Sequence, residues 1–149
     1  MSQRNKIRMS EEEVATFLSE RHTMSVATNG KDGFPHVVAM WYGFLHGKPA
    51  FWTYRKSQKI RNLERDDRMT CLVEAGEGYN ELRGVMLKGR GVILQDKTEV
   101  LKVGESVYER YTGTLTDAAR PVLEYMARKR VAVRIEVEEV ASWDHRKLP

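Results

Sequence analysis

Apolar and polar residues alternate most regularly near the C-terminus. Residues 131–138 follow a two-residue period, the pattern of a strand with one buried face. Five further apolar stretches bounded by turn residues predict strands over residues 23–28, 35–42, 50–54, 69–74 and 85–94. The stretch 35–42 is almost continuously apolar, which predicts a strand covered on both faces. Gly89 and Gly91 predict a bulge, a strong bend or a close backbone approach in the fifth stretch.

Helices are predicted from caps and from apolar residues at three- and four-residue spacing. The Ser-Glu-Glu-Glu sequence at 10–13 is a capping box and predicts a helix over residues 11–20. Asp96 with Glu99 repeats this pattern before a second apolar helical face. A further short helix is predicted around residues 122–126.

These elements predict the fold class. Six strands joined mostly by tight turns, with few helices, favour a mainly β protein built as an antiparallel barrel. No glycine-rich phosphate loop follows a strand, which excludes a Rossmann or P-loop protein. The length of 149 residues predicts one domain spanning residues 1–149.

Composition narrows the setting and the partners. No apolar run of about 18 residues is present, so no membrane span is expected. The polar N-terminus lacks the apolar core of a signal peptide, and a single cysteine excludes an internal disulfide, so we expect a cytoplasmic protein. The net charge of +4 favours anionic ligands, but the mixed charges do not form a nucleic-acid-binding stripe.

Several kinds of catalysis find no support in the sequence. Cys71 lies in an apolar stretch, which is typical of a packed core cysteine rather than a nucleophile. The four histidines are scattered without metal-ligand spacing, so no metal site is predicted. A G-x-S-x-G nucleophile motif is absent.

One segment carries a positive indication of function. Between Thr53 and Leu63 there are four cationic residues and no acid; these are Arg55, Lys56, Lys59 and Arg61. The segment is predicted to be a turn followed by a helix capped by Ser57. Lys59 then lies in the first turn, where free backbone N–H groups and the helix dipole already favour an anion, so phosphate is the expected ligand. A solvated basic loop is the alternative.

Aromatic residues on the neighbouring strands favour the first interpretation. Trp41, Trp52 and Tyr54 lie on strands that flank the basic segment and are predicted to offer a flat apolar surface beside it. Each aromatic taken singly is more typical of a core. Together with the cations they favour a ligand that has a planar ring and a phosphate.

Two motifs and their order resemble a known family. Lys59 begins a Lys-x-x-Asn-Leu-x-Arg-Asp sequence, and Gly33 begins a weaker Gly-x-Pro-His-Val-Val sequence; a Lys-Gly-Arg-Gly sequence follows at 88–91. Over residues 9–143 the chain resembles the flavin/deazaflavin oxidoreductase branch of the pyridoxamine-5′-phosphate-oxidase-like split barrels.

The resemblance implies a six-stranded antiparallel split β-barrel of the FMN-binding type. It further implies a homodimer with two cofactor sites at the subunit interface. The cofactor ring would lie along strand 35–41, and Lys59 and Ser57 would hold its phosphate with help from Arg55 and Lys56. The full set of expected cofactor-binding residues is His36, Val37, Val38, Trp41, Thr53, Arg55, Lys56, Ser57 and Lys59. By the same resemblance Asn62 orders the helix, and Tyr79 and Arg83 come from the partner subunit.

Departures from the family pattern direct the choice of chemistry. True pyridoxamine-phosphate oxidases end in an Arg-Leu-x-Pro motif, whereas this chain ends Trp-Asp-His-Arg-Lys-Leu-Pro over residues 143–149. His36 stands where those oxidases have an arginine that helps to bind the FMN phosphate. The resemblance therefore implies hydride transfer between coenzyme F420 and an unidentified small organic acceptor. The alternatives are an FMN-dependent enzyme of the same fold and a non-catalytic flavin- or haem-binding protein. No catalytic residue is predicted, because the hydride chemistry belongs to the cofactor.

Overall fold

The computed structural model describes residues 2–149 and consists of one curled sheet with helices around it. The strands are β1 (Thr23–Asn29), β2 (Pro35–Trp41), β3 (Gly43–Leu45), β4 (Lys48–Tyr54), β5 (Arg68–Ala75), β6 (Arg83–Leu94) and β7 (Arg130–Asp144). The helices are α1 (Gln3–Lys6), α2 (Glu11–Glu20), α3 (Gln58–Arg65), α4 (Lys97–Thr112) and α5 (Arg120–Ala127), with short 3₁₀ turns at Tyr79–Glu81 and His145–Lys147.

The sheet is antiparallel throughout and has the order β2-β1-β5-β6-β7-β4-β3. It curls into a half-barrel, which confirms the mainly β split-barrel prediction. The predicted count of six strands is wrong, because residues 43–45 form the additional short strand β3. This strand pairs with the start of β4 through a hairpin at His46–Gly47, and three residues are too few to give a readable period.

The predicted irregularity at Gly89 is confirmed. The pairing of β6 with β7 shifts register between Lys88 and Gly89. A Cβ atom on Gly89 would collide with the backbone of Glu136, so the two strands approach too closely at this point for any other residue.

Two apolar clusters hold the sheet and helices together. The main core includes fully buried Val26, Phe51 and Val85 of the sheet, together with Phe17 of α2 and Ile60 of α3. The second core lies between α4 and the other face of β4 and β7. Trp52 packs there against Gly104 of α4, where an added Cβ would lie 2.6 Å from the indole ring.

Helix α2 begins as the sequence predicts. The Ser10 hydroxyl accepts a hydrogen bond from the Glu13 backbone N–H, and the Glu13 carboxylate accepts one from the Ser10 N–H. Lys147 adds an ion pair of 2.8 Å to the same carboxylate. Every acid in this first turn complements the positive end of the helix dipole.

Strand β2 forms one edge of the sheet, and its exposure differs from the prediction. Val38 and Met40 pack towards the main core, whereas Val37 and Trp41 point away from it and are 60% and 58% exposed. The prediction that β2 is buried on both faces is therefore wrong for a single copy of the chain. The outward face of β2 is an apolar strip at an open sheet edge.

Within residues 2–149, none of the helices is both long and apolar enough to cross a membrane.

Candidate phosphate-binding site

The candidate site is the N-terminal end of α3. Ser57 takes the N-cap position with extended backbone angles (φ −68°, ψ 155°), as predicted, but its side chain makes no capping hydrogen bond. The Ser57 Oγ atom is buried and has no hydrogen-bond partner among the described residues. The first turn contains no acid. The positive end of this helix therefore remains uncompensated, with free backbone N–H groups and a free hydroxyl.

Lys59 places a buried cation at this helix end. The residue is 8% exposed, and its Nζ atom donates a 2.8 Å hydrogen bond to the Thr53 hydroxyl at the end of β4. No carboxylate among residues 2–149 forms an ion pair with it. Burial lowers the pKa of the Lys59 ammonium. A buried cation that lacks a counter-ion is costly to the fold, so this site favours an anionic ligand.

The helix that presents Lys59 is firmly anchored. Ile60 and Leu63 are buried in the main core, as their three-residue spacing predicts. Asn62 is fully buried and donates a 3.0 Å hydrogen bond from Nδ2 to the Thr28 hydroxyl of β1. Gln58 donates to the Asn62 amide oxygen at 2.8 Å. These contacts fit the prediction that Asn62 orders the helix.

A hollow of about 420 Å³ opens between α3 and the turn that joins β1 to β2. Gln58 and Asn62 line it on the helix side, and His36 lines it on the strand side. His36 lies directly opposite Thr28 in the β1–β2 register. Its Nδ1 atom is buried and has no hydrogen-bond partner among the described residues. Two buried polar atoms without partners, on His36 and Ser57, thus belong to the two elements predicted to hold the cofactor.

The remaining residues predicted on β2 occupy its two faces. Val38 faces the core, and Val37 lies on the exposed apolar strip. Trp41 ends the same strip and stacks on Tyr111 of α4, with ring centroids 3.8 Å apart. Because β2 is an edge strand, alternate backbone groups point away from β1 and are free for ligand contacts.

The predicted aromatic surface beside the basic segment is wrong in two of its three members. Side chains alternate along β4, so Phe51 and Thr53 face the barrel while Trp52 and Tyr54 face the other way. Trp52 is used in packing against α4. Tyr54 is 55% exposed on the face opposite to the Lys59–Thr53 contact.

Arg55 and Lys56 are both exposed in the turn before α3. Arg55 lines a hollow with Lys97 and Arg130, on the side of the sheet covered by α4 and α5. Thr53, Ser57 and Lys59 therefore lie together at the N-terminal end of α3, whereas Arg55 lines the hollow beside α4 and α5. Phosphate contacts from Arg55 and Lys56 stay a prediction.

Tyr79 and Arg83 lie near the other end of the sheet. The Tyr79 ring is 72% exposed and meets His145 edge-on. The guanidinium of Arg83 lies over the Phe17 ring and 3.5 Å from a Glu20 carboxylate oxygen. Their expected contribution to a partner's site stays a prediction.

Cys71 is a packed core residue, as predicted. It is 1% exposed, and burial raises the pKa of its thiol to about 12. A thiolate nucleophile is therefore not available at this position near neutral pH. Among residues 2–149, no group of three or more histidine, cysteine or acidic side chains could hold a metal ion.

Sequence reasoning missed two polar residues of this region, Thr28 and Gln58. Thr28 ends a strand of small residues, and nothing in its neighbourhood distinguishes it from a surface threonine. Its 2% exposure and its bond to Asn62 emerge only when β1 is placed under α3.

Fold and site together define a class: a curled antiparallel half-barrel with a basic helix end, free of acids in its first turn, next to an open strand edge. A family model described as pyridoxamine 5′-phosphate oxidase matches residues 10–144. The chain therefore belongs to the pyridoxamine 5′-phosphate oxidase family. None of the curated proteins matches it.

Several solved structures share the fold of this chain. The conserved hypothetical protein Rv2991 from Mycobacterium tuberculosis is 46% identical, with a TM-score of 0.94 over 99% of this chain and 92% of that one. An F420 reductase is 24% identical, with a TM-score of 0.65 over 84% of this chain and 93% of that one. HutZ, the haem storage protein from Vibrio cholerae, is 18% identical, with a TM-score of 0.68 over 87% and 92% of the two chains. The last two similarities show the fold alone.

Proposed function

We propose that this protein is an oxidoreductase that transfers hydride between F420 and a small organic acceptor. The observation that supports this most strongly is the buried Lys59 ammonium, bonded to Thr53 and lacking a carboxylate partner within residues 2–149. A cation that is only structural would be expected to have an acid nearby. A cation that binds a ligand is left free for the ligand's anion.

The residues present fit a flavin-type cofactor. Ser57 and Lys59, with the first N–H groups of α3, would hold the phosphate. The edge of β2 at His36, Val37 and Val38 would offer backbone groups to the ring. When bound, such a cofactor supplies the hydride chemistry; the protein binds it, orients it and sets the electrostatics around it.

The choice of F420 over FMN rests on two features of this chain. By the family resemblance His36 stands where an FMN-phosphate site has an arginine, and the exposed Lys56, next to Ser57, adds positive charge beyond that needed for a single phosphate. The F420 reductase among the structural relatives shows that this fold accommodates an F420-linked activity in another protein. FMN remains the second candidate, and a flavin- or haem-binding protein without turnover is the third.

A homodimer forms part of the proposal. The outward strip of β2 exposes Val37 and Trp41, and Phe34 in the preceding turn is 75% exposed. A second copy of the chain would cover this strip. The expected mass in solution is twice 17.2 kDa, measured by light scattering after size exclusion. A monomer at micromolar concentration would contradict this part of the proposal.

Side-by-side titration of the purified protein with F420 and FMN tests the function. We expect saturable binding of F420, followed by tryptophan fluorescence and cofactor absorbance, and weaker binding of FMN. Lys59→Ala should weaken binding by about 1–3 kcal/mol, because a charge-assisted contact is lost. Arg61→Ala is the matched control, since it removes an exposed cation from the same helix and should leave affinity unchanged.

The reaction is tested after binding. Reduced F420 should be oxidised when a panel of small organic acceptors is added, and the change in its absorbance reports the turnover. Tight FMN binding with no F420 binding would shift the assignment to the second candidate. Cofactor binding without turnover on any acceptor would favour the third. Unchanged affinity in Lys59→Ala would contradict the site.

A further inference from the structure

A second basic cluster lies on the face of β4 opposite to Lys59. Tyr54 pairs with Arg130 at the start of β7, and the Arg55 backbone N–H donates to the Lys129 carbonyl at 2.9 Å. The basic turn after β4 is therefore joined to the Arg-Lys-Arg sequence that connects α5 to β7. Four cationic residues from two distant parts of the chain, Arg55, Arg128, Lys129 and Arg130, therefore lie close together and form a single cationic cluster.

Three residues of the cluster line a cavity of a size suited to a small molecule. A cavity of about 560 Å³ is lined by Tyr54, Tyr125, Arg128, Lys129 and Arg130, together with Met126. A neighbouring hollow of about 390 Å³ shares Arg128 and Arg130 and adds Arg55 and Lys97. Ligand sites in proteins commonly enclose volumes of roughly 300–1,000 Å³.

The charges of this cluster lack counter-ions within the described residues. None of Arg55, Arg128, Lys129 and Arg130 forms an ion pair there. Within residues 2–149, Glu124 is the one acid that lines either hollow. The C-terminal end of α5 attracts cations, and Arg130 donates to the Met126 carbonyl there, which accounts for part of the cluster. It does not account for Arg55 and Lys129.

Aromatic rings hold two of these guanidinium groups in place. Arg130 lies 4.2 Å above the Tyr54 ring centroid, and Arg128 lies 5.6 Å above that of Tyr125. The two rings are 55% and 70% exposed. Stacked guanidinium groups are ordered before a ligand arrives, and the N–H donors that are not already bonded, as one donor of Arg130 is to the Met126 carbonyl, can contact a carboxylate or phosphate. The exposed ring faces provide a surface for a planar group.

We propose that this cavity is a second binding site, which takes a small molecule that combines a planar ring with a carboxylate or phosphate. The site is separate from the end of α3. Thr53, which bonds to Lys59, faces the barrel, whereas Tyr54 faces the cavity. The inference therefore stands whether or not the protein binds F420.

The test uses 1-naphthyl phosphate, 1-naphthoate and uncharged 1-naphthol as probes of the full-length protein. Their positions are mapped by shifts of backbone amide NMR signals, and affinities come from the same titrations. We expect saturable binding of both anions with shifts at residues 54–56 and 124–130. Binding of 1-naphthol should be at least about tenfold weaker, since the charge-assisted contacts are lost.

Matched variants distinguish binding at this specific site from non-specific attraction of anions to a basic protein. Arg128→Gln with Lys129→Gln should weaken anion binding about tenfold. The control, Lys6→Gln with Arg61→Gln, removes the same charge from exposed positions elsewhere and should change it less than about twofold. Tyr125→Leu should weaken binding, whereas Tyr79→Leu, at another exposed tyrosine, should not.

Three results would overturn the inference. The first is equal loss of binding in the test and control charge variants. The second is equal affinity for 1-naphthol and the anions. The third is loss of binding in Lys59→Ala with shifts confined to residues 57–62, which would assign the probes to the site at α3. Failure of F420 to bind would contradict the proposed function and leave this inference intact.

Discussion

Helices α2 and α3 both have a serine at the N-cap position, Ser10 and Ser57, but the two side chains make different contacts. At α2, Ser10 and Glu13 exchange hydrogen bonds, and Lys147 pairs with the same carboxylate. At α3, the Ser57 hydroxyl is buried and has no hydrogen-bond partner within residues 2–149, and the turn contains Lys59 in place of an acid. At the N-terminal end of α2, the backbone N–H groups of Ser10 and Glu13 are bonded by side chains of the protein, and these bonds stabilise the fold. The positive end of α3 has this unbonded hydroxyl and a cation, which is the arrangement we propose for anion binding.

The largest expected effect comes from placing an acid in the first turn of α3. Lys59→Glu puts a carboxylate where the ligand's anion belongs and should weaken F420 binding by at least about 100-fold, or about 2.7 kcal/mol. Glu13→Gln, in the capped first turn of α2, should leave the affinity for F420 unchanged. Titration calorimetry gives the affinities, and circular dichroism verifies that both variants are folded. Retained binding in Lys59→Glu would contradict the site.

The two serines should differ in their contribution to stability. Ser10→Ala removes a formed capping bond and should lower the free energy of unfolding by about 1 kcal/mol. Ser57→Ala removes a hydroxyl that has no bond to lose, so the expected change is within about 0.5 kcal/mol. Urea denaturation of the cofactor-free protein measures both. Equal losses of unfolding free energy would mean that Ser57 stabilises its helix as much as Ser10 does, which contradicts the comparison.

Glu13 and Lys59 contribute to stability with opposite signs, but both contributions should make the folded protein more stable as the pH rises. Hydrogen bonds from Lys147 and Ser10 lower the pKa of Glu13, so its contribution is present near neutral pH and is lost as the pH falls through that lowered value. Burial lowers the pKa of Lys59, so the folded protein binds this proton less tightly than the unfolded chain. Its unfavourable contribution is full below the lowered pKa and fades as the pH rises towards the ordinary lysine value.

Variants isolate these two contributions. The gap in unfolding free energy between Lys59→Met and the wild type should narrow from pH 7 towards the ordinary lysine pKa of about 10.4. The gap between the wild type and Glu13→Gln should narrow on acidification. Both follow from urea denaturation across the pH range. If the difference in unfolding free energy between Lys59→Met and the wild type is constant with pH, burial does not disfavour the charged form of Lys59.

Local patterns were sufficient for much of the fold. The capping box at Ser10, the alternation along β7 and the bulge at Gly89 were all readable, because each depends on neighbours in sequence. Strand β3 was missed because three residues show no period. The open face of β2 was missed because an apolar run has the same appearance whether its cover is the chain itself or something outside it.

The candidate site was likewise predictable from the sequence only in part. Lys59 was identified from its place in a cationic segment and from the family motif, but its burial and its bond to Thr53 depend on how α3 sits on the sheet. The aromatic surface was predicted wrongly because strand alternation sends Trp52 and Tyr54 away from Lys59. The joining of Arg55 to Lys129 involves residues 74 positions apart, and no local pattern reports it.

The central claim is that Lys59 and the end of α3 bind the phosphate of a flavin-type cofactor. The most direct test compares each cofactor with its phosphate-free counterpart, FMN with riboflavin and F420 with its bare deazaflavin chromophore, in the wild type and in Lys59→Met. The wild type should prefer the phosphate-bearing form by at least about tenfold, and Lys59→Met should abolish most of that preference. An equal preference in both proteins would contradict the claim.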